Sequence, residues 1–204
     1  MTSWFEEPKG GRARGPRALA RAWFEVLVRP RRLFANGVAP GDQAPALTFA
    51  VAVAAVYTLG WIVSDPGVVP GIVVSVPVSA TILFLLVVVL LAPVGLHLTA
   101  AVATVSVILA SVELDGGLAL RDRGGVSETV QVVAYASSPM ALAGPPIPEL
   151  RVVCGAYAAV LLLIGFRTVH GTTPARTLLA GIPPALLGYG VGYRTVAAVR
   201  TLIG

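Results

Sequence analysis

Inside a bilayer, chemistry needs ionisable groups that face a bundle interior or a cavity, and such groups are costly to hold there. This sequence of 204 residues offers few of them. His97 is the one candidate well inside an apolar stretch. A proton relay would need a carboxylate in the same layer, and the neighbouring sequence supplies none. His97 therefore reads as a hydrogen-bonded structural histidine beside a kink at Pro93. Glu113, Asp115 and Asp122 border a Gly-rich loop but lack the spacing of a calcium loop. No HExxH, GxSxG or Walker A pattern occurs. The lone Cys154 has no partner for an internal disulfide and sits among apolar residues, as a small inert core side chain would. The expectation is a non-enzyme with no catalytic, metal or cofactor residues.

The densest polar grouping in an apolar segment lies in VSETVQVVAYASSPMAL, residues 126–142. Glu128, Gln131, Tyr135 and Ser138 recur three to four residues apart, which places them on one helical face. Pro139 has no N–H to give, so the carbonyl of Tyr135 loses its usual donor. Such a stripe faces protein or water rather than lipid. It predicts contact with a neighbouring helix, with a cavity lining as the alternative. A second pattern, Gly181, Ala185, Gly188 and Gly192, makes one face of a later helix smooth. Smooth faces let backbones approach closely in lipid. Contacts within the bundle are the preferred reading over pairing with a second copy.

The elements that must position these residues are membrane helices. The chain is 56% hydrophobic and 12% charged, with mean hydropathy +0.83; soluble domains carry about 25% charged residues. The predicted fold is all-α, a polytopic transmembrane helix bundle of five spans preceded by a short interfacial amphipathic helix. Residues 1–16 read as a disordered basic arm, 17–43 as the amphipathic helix and linker, and 44–204 as the bundle. The spans cover about 44–63, 72–112, 127–143, 150–166 and 174–199. Tyr57 and Trp61 sit near the far interface of the first, as belt aromatics do. Ser127 and Thr173 stand as N-caps, with Pro174 at N1, and Pro183-Pro184 should kink the last helix.

Two segments need separate argument. In 17–29, Leu19, Trp23, Val26 and Leu27 share one face, and Arg17, Arg21, Glu25 and Arg29 the other. Thirteen residues make only about 20 Å of helix. The segment therefore lies flat in the interface or packs on the protein's own cytoplasmic face. The stretch 72–112 would reach about 60 Å as one straight helix, twice the ~30 Å hydrocarbon core. It is either two spans with a tight turn near Pro93 and Gly95, or one span kinked at Pro93 after an interfacial or re-entrant piece containing Pro77. Two crossings would turn the later loop arginines outward. The positive-inside rule favours the single crossing, which keeps Arg121, Arg123, Arg167, His170 and Arg176 on the side of the basic N-terminus. Arg194 and Arg200 then face outward, against the positive-inside rule.

Eight of the fifteen basic residues precede position 33. A block of this kind directly ahead of a span reads as a cytoplasmic anchor in a multi-pass protein of the cell membrane, not as a nucleic-acid contact. Arg21, Arg29, Arg31 and Arg32 are the expected contacts to anionic headgroups. Arg31-Arg32-Leu33-Phe34 superficially resembles a twin-arginine export signal, but a gap and then a full-length span follow it.

The order of features resembles the Yip (Ypt-interacting protein) family of small five-span membrane proteins. The resemblance is carried by RPRRLFANG (29–37), GVSETVQVVAYASSP (125–139), Ile147-Pro148 and GFRTVHGTTPARTLLA (165–180), and covers about 23–199. It implies a helical bundle with a cytoplasmic N-terminus. Eukaryotic members are associated with Rab GTPase binding and vesicle traffic through an acidic cytoplasmic motif and a Tyr-Pro motif in the bundle. Tyr135 and Pro139 resemble the second; the first is absent, since the arm here is basic, and the form is that of a prokaryotic or archaeal member. The expected function is a membrane scaffold or adaptor acting through helix–helix and lipid contacts. Its partners are then the bilayer, other membrane proteins or a second copy. The alternative is a small transporter or channel subunit with a polar path along the third helix, past His97.

Overall fold

The structure, a computed structural model, describes residues 15–71, 75–113, 119–121 and 123–204. Most of the expected disordered arm, the start of the second span at 72–74, and Asp115 and Asp122 lie outside the described residues. The fold is all-α, apart from one antiparallel pair of two-residue strands, β1 (Val112–Glu113) and β2 (Ala119–Leu120). The helices are α1 (Pro16–Val28), α2 (Pro30–Asn36), α3 (Ala44–Ser64), α4 (Val76–Leu85) and α5 (Ala92–Ala110). They continue with α6 (Val126–Ala136), α7 (Pro148–His170), α8 (Pro174–Pro184) and α9 (Thr195–Ile203). Proline stands at the first or second position of α1, α2, α3, α4, α7 and α8, where a missing N–H leaves no bond unmade.

Among the described residues, three helical runs are long and apolar enough to cross a membrane: Ala44–Ser64, Val76–Ala110 and Pro148–His170. The second is continuous over 35 residues, because α4 and α5 are joined by a wide helical turn, Leu86–Leu91. Pro93 lies just beyond it. Proline removes the bond to the carbonyl four residues back and crowds that carbonyl, and a locally wider turn relieves both. The other two predicted spans are broken. After α6 the chain tightens into a 3₁₀ turn, Ser138–Leu142. After α8, which ends on Pro183-Pro184, the run Ala185–Gly192 winds as a second wide turn, and Arg194, at φ 62°, interrupts the chain before α9.

α6 lies at the centre, packed on α3, α5 and α7 and touched by α1. Every side chain from Thr129 to Met140 is buried. Around it stand Phe34, Phe49, Leu161, Leu162 and Phe166. Val76–Ala110 is the opposite case: Val89 and Leu109 are each 68% exposed.

Some local expectations shift. Gly125, not Ser127, occupies the N-cap of α6, and Thr173 sits at the N-cap of α8 without a capping side-chain bond. α1 buries Ala18, Ala22, Glu25 and Val26, so Glu25 lies on the inward face instead of beside the arginines. The small Ala18 and Ala22 side chains, one turn apart, let this face approach the bundle closely. The docking is bonded as well as packed: the Trp23 indole donates to the Ser138 carbonyl at 2.8 Å, and the Tyr157 hydroxyl donates to the Leu27 carbonyl.

Candidate functional site

The polar stripe of α6 is brought together as a set of internal fastenings. Gln131 is fully buried. Its Nε2 donates to the Ala39 carbonyl at 2.6 Å, and its Oε1 accepts from the Ala39 N–H at 3.1 Å. One side chain thus satisfies both backbone groups of a residue in the linker between α2 and α3. The same Nε2 lies 3.3 Å from the carbonyl and from Oγ of Ser127. Glu128 is half-buried in the first turn of α6, where its charge suits the helix N-terminus.

The other end of α6 answers the backbone problem set by Pro139. The Ser138 hydroxyl donates to the Tyr135 carbonyl at 2.5 Å, and the Ser137 hydroxyl to the Ala134 carbonyl at 2.7 Å. The Tyr189 hydroxyl reaches the Val133 carbonyl at 3.0 Å. Carbonyls released where the helix tightens are therefore taken up by side chains, as an apolar surrounding requires. Tyr135 is fully buried and meets Phe49 edge-on, ring centroids 5.2 Å apart.

The smooth face is divided among different neighbours. A Cβ on Gly181 would strike Leu163 of α7, and one on Gly188 would meet Thr99 of α5 at 2.8 Å. Ala185 is half-buried, and Gly192 lines a cavity. Arg21, Arg29 and Arg31 are exposed and Arg32 is half-buried. His97 is exposed, with Nδ1 2.7 Å from the Pro93 carbonyl. Cys154 is buried and forms no disulfide.

That cavity was not anticipated from the sequence. It holds about 400 Å³ between α3, α5, α6 and the two wide turns. Val133 of α6 and Ser137 just past its end line it, whereas Glu128, Gln131, Tyr135 and Ser138 do not. Its rim is at the end of the bundle where α3 finishes, where Tyr57, Trp61, Tyr193 and Arg194 gather. The Arg194 guanidinium lies 4.8 Å from the Trp61 ring centroid. Arg151, from the first turn of α7, lies 5.9 and 5.7 Å from the Tyr57 and Trp61 centroids. Its Nε and Nη2 also donate to the carbonyls of Ala143 and Gly144, at 3.1 and 2.9 Å. The Tyr57 ring stands edge-on to Tyr193, and its hydroxyl bonds the Tyr193 carbonyl at 3.3 Å. Tyr57, expected as an interface-belt residue, is buried because Arg151 and Tyr193 cover it.

Gly144 makes this packing possible. A Cβ there would lie 2.5 Å from the Tyr57 carbonyl oxygen. Arg151 follows the GPPIP turn in sequence, and Arg194 is one of the two arginines that the expected topology would set against the positive-inside rule. Those two signals together could have marked the cluster.

The Yip1 domain family model matches residues 24–193. No curated protein and no solved structure matches the chain.

Proposed function

The chain belongs to the Yip1 domain family and is a multi-pass membrane protein; we propose that it acts there as a non-enzymatic scaffold or adaptor, through helix–helix and lipid contacts. The observation that carries this reading is the contrast between the polar stripe of α6 and the apolar run Val76–Ala110. The α6 stripe is turned inward and tied to the chain's own backbone. The run Val76–Ala110 instead presents Val89, Val94, Leu98, Val105 and Leu109, all more than half exposed. A surface of that kind suits lipid and partner helices, where close packing supplies the attraction.

In this reading the two broken segments, α6 with its 3₁₀ turn and α8 with α9, also cross, which gives five crossings. The N-terminus is cytoplasmic in the cell membrane, and Arg21, Arg29, Arg31 and Arg32 meet anionic headgroups. Cysteine accessibility in each loop tests this topology. Replacing the four arginines by Glu should weaken insertion or invert the orientation; unchanged topology would remove their anchoring role. A photo-crosslinker at Val89 or Val105, used in native membranes, should capture a protein partner or a second copy. Capture of lipid alone at both positions would overturn the adaptor role.

The second reading, a small transporter or channel subunit, draws on the cavity. Its polar path would need the α6 stripe to face that cavity, and the stripe residues lie elsewhere. Flux through reconstituted protein that vanishes in Tyr135→Phe or His97→Ala would restore it.

A further inference from the structure

We propose that the cavity between α3, α5 and α6 is a binding site for one anionic phospholipid, with an acyl chain inside and the phosphate on the Arg194 guanidinium. Depth is the first argument. Trp61 lies one turn from the end of α3, so the Arg194 guanidinium stacked on it stands at headgroup level in a helix of spanning length. Ala50, which also lines the cavity, is about 16 Å further along α3. That matches one leaflet, half of a hydrocarbon core of about 30 Å. A volume of about 400 Å³ falls at the small end of ligand sites, roughly 300–1,000 Å³.

The lining is the second argument. Val87, Leu91, Leu96, Leu98, Leu187 and Val191 line the wall. The hydroxyls that reach it are largely engaged: Thr58 donates to the Ala54 carbonyl, Ser137 to Ala134, Tyr189 to Val133 and Tyr57 to Tyr193. Such a wall offers hydrocarbon contact and little to solvate an ion or a polar solute.

Charge is the third argument. Among the described residues neither Arg151 nor Arg194 meets a carboxylate, whereas Arg121 and Arg176 pair with Glu113. The exposed Arg194 guanidinium lies against the Trp61 face, which attracts a cation but leaves its outward N–H groups able to bind an anion. Arg151, by contrast, is buried and held by the Ala143 and Gly144 carbonyls, and contributes only its positive charge to this end of the bundle. Arg194 holds its place in a left-handed backbone conformation, φ 62°, which favours glycine over a long side chain. Basic pockets between membrane helices recognise anionic headgroups by this chemistry.

The test uses the full chain, purified in a neutral detergent, with bound lipid counted by native mass spectrometry. Phosphatidylglycerol, phosphatidylcholine with the same acyl chains, and inorganic phosphate as competitor are the probes. One phosphatidylglycerol should bind per chain, about tenfold more tightly than phosphatidylcholine, and excess phosphate should not displace it. Arg194→Gln should abolish the preference. Gly95→Leu should expel both lipids while folding normally, because a Cβ at Gly95 enters open space and the added side chain fills the cavity. Equal binding of the two lipids by the parent chain, or unchanged binding in either variant, would overturn the proposal. Displacement by phosphate would overturn the lipid assignment and give Arg194 to a free anion instead.

Discussion

Along α6, Gln131 gives both ends of its amide to Ala39, and the Ser138 hydroxyl caps the carbonyl that Pro139 leaves open. At the end of the bundle where α3 finishes, Arg151 and Arg194 rest on Tyr57 and Trp61, and no carboxylate meets them among the described residues. Both regions place polar atoms among apolar ones. In the first, the chain satisfies its own donors and acceptors, and the result is rigidity. In the second, Arg151 is held by the Ala143 and Gly144 carbonyls, while the exposed Arg194 stands beside a cavity and is the group proposed to bind. Polarity within an apolar bundle is thus no guide to function until its partners are counted.

The largest test of the inward region removes bulk. Tyr135→Ala empties a fully buried site against Phe49 and should cost about 3–5 kcal/mol, read as a lower melting midpoint in detergent. Next comes the clamp. Gln131→Leu keeps the volume but strips the Ala39 N–H and carbonyl of their partners, at about 1–3 kcal/mol for an unsatisfied buried group. Asparagine at position 131 cannot reach as far and should not restore the loss. A Gln131→Leu protein as stable as the parent would mean that the linker does not depend on α6.

Ser138→Ala is a finer probe, since it leaves the Tyr135 carbonyl without the hydroxyl that replaces its missing N–H donor. A loss of about 1 kcal/mol is expected. Restoring the ordinary donor with Pro139→Ala in the same chain should recover most of it, because the backbone N–H then becomes available again. Failure of that rescue would show that the 3₁₀ turn is imposed by the surrounding packing and not by proline.

The α6 stripe was legible because a three-to-four residue recurrence stands out against an apolar background, and Pro139 announced an orphaned carbonyl at a known position. The inward turn of Glu25 was not legible, because the apolar pattern of α1 gave no weight to the small Ala18 and Ala22 that set the docked face. The arginine–aromatic cluster was hidden for a different reason. Its members, Tyr57, Trp61, Arg151 and Arg194, come from three segments far apart in sequence and share no period. The wide turns were half legible: Pro93 and Pro183-Pro184 marked where regular helix would fail, but proline alone does not say whether a helix kinks, widens or stops.

The smallest stability effect carries the sharpest comparison. Arg194 is exposed, and its stack on Trp61 is the kind of cation–π contact that contributes about 0.5–1 kcal/mol at such sites. Replacing it by Gln also leaves the backbone strain at φ 62° in place, so Arg194→Gln should move the melting midpoint far less than Gln131→Leu. The added phospholipid should separate the two variants in the other direction. A ligand that binds only the folded chain raises the midpoint as its concentration exceeds the dissociation constant. Phosphatidylglycerol should therefore stabilise the Gln131→Leu protein as it does the parent, and should fail to stabilise Arg194→Gln. If Arg194→Gln instead lowers the midpoint as far as Gln131→Leu without lipid, the arginine is a structural brace like the α6 polar groups, and the two regions do not differ in kind.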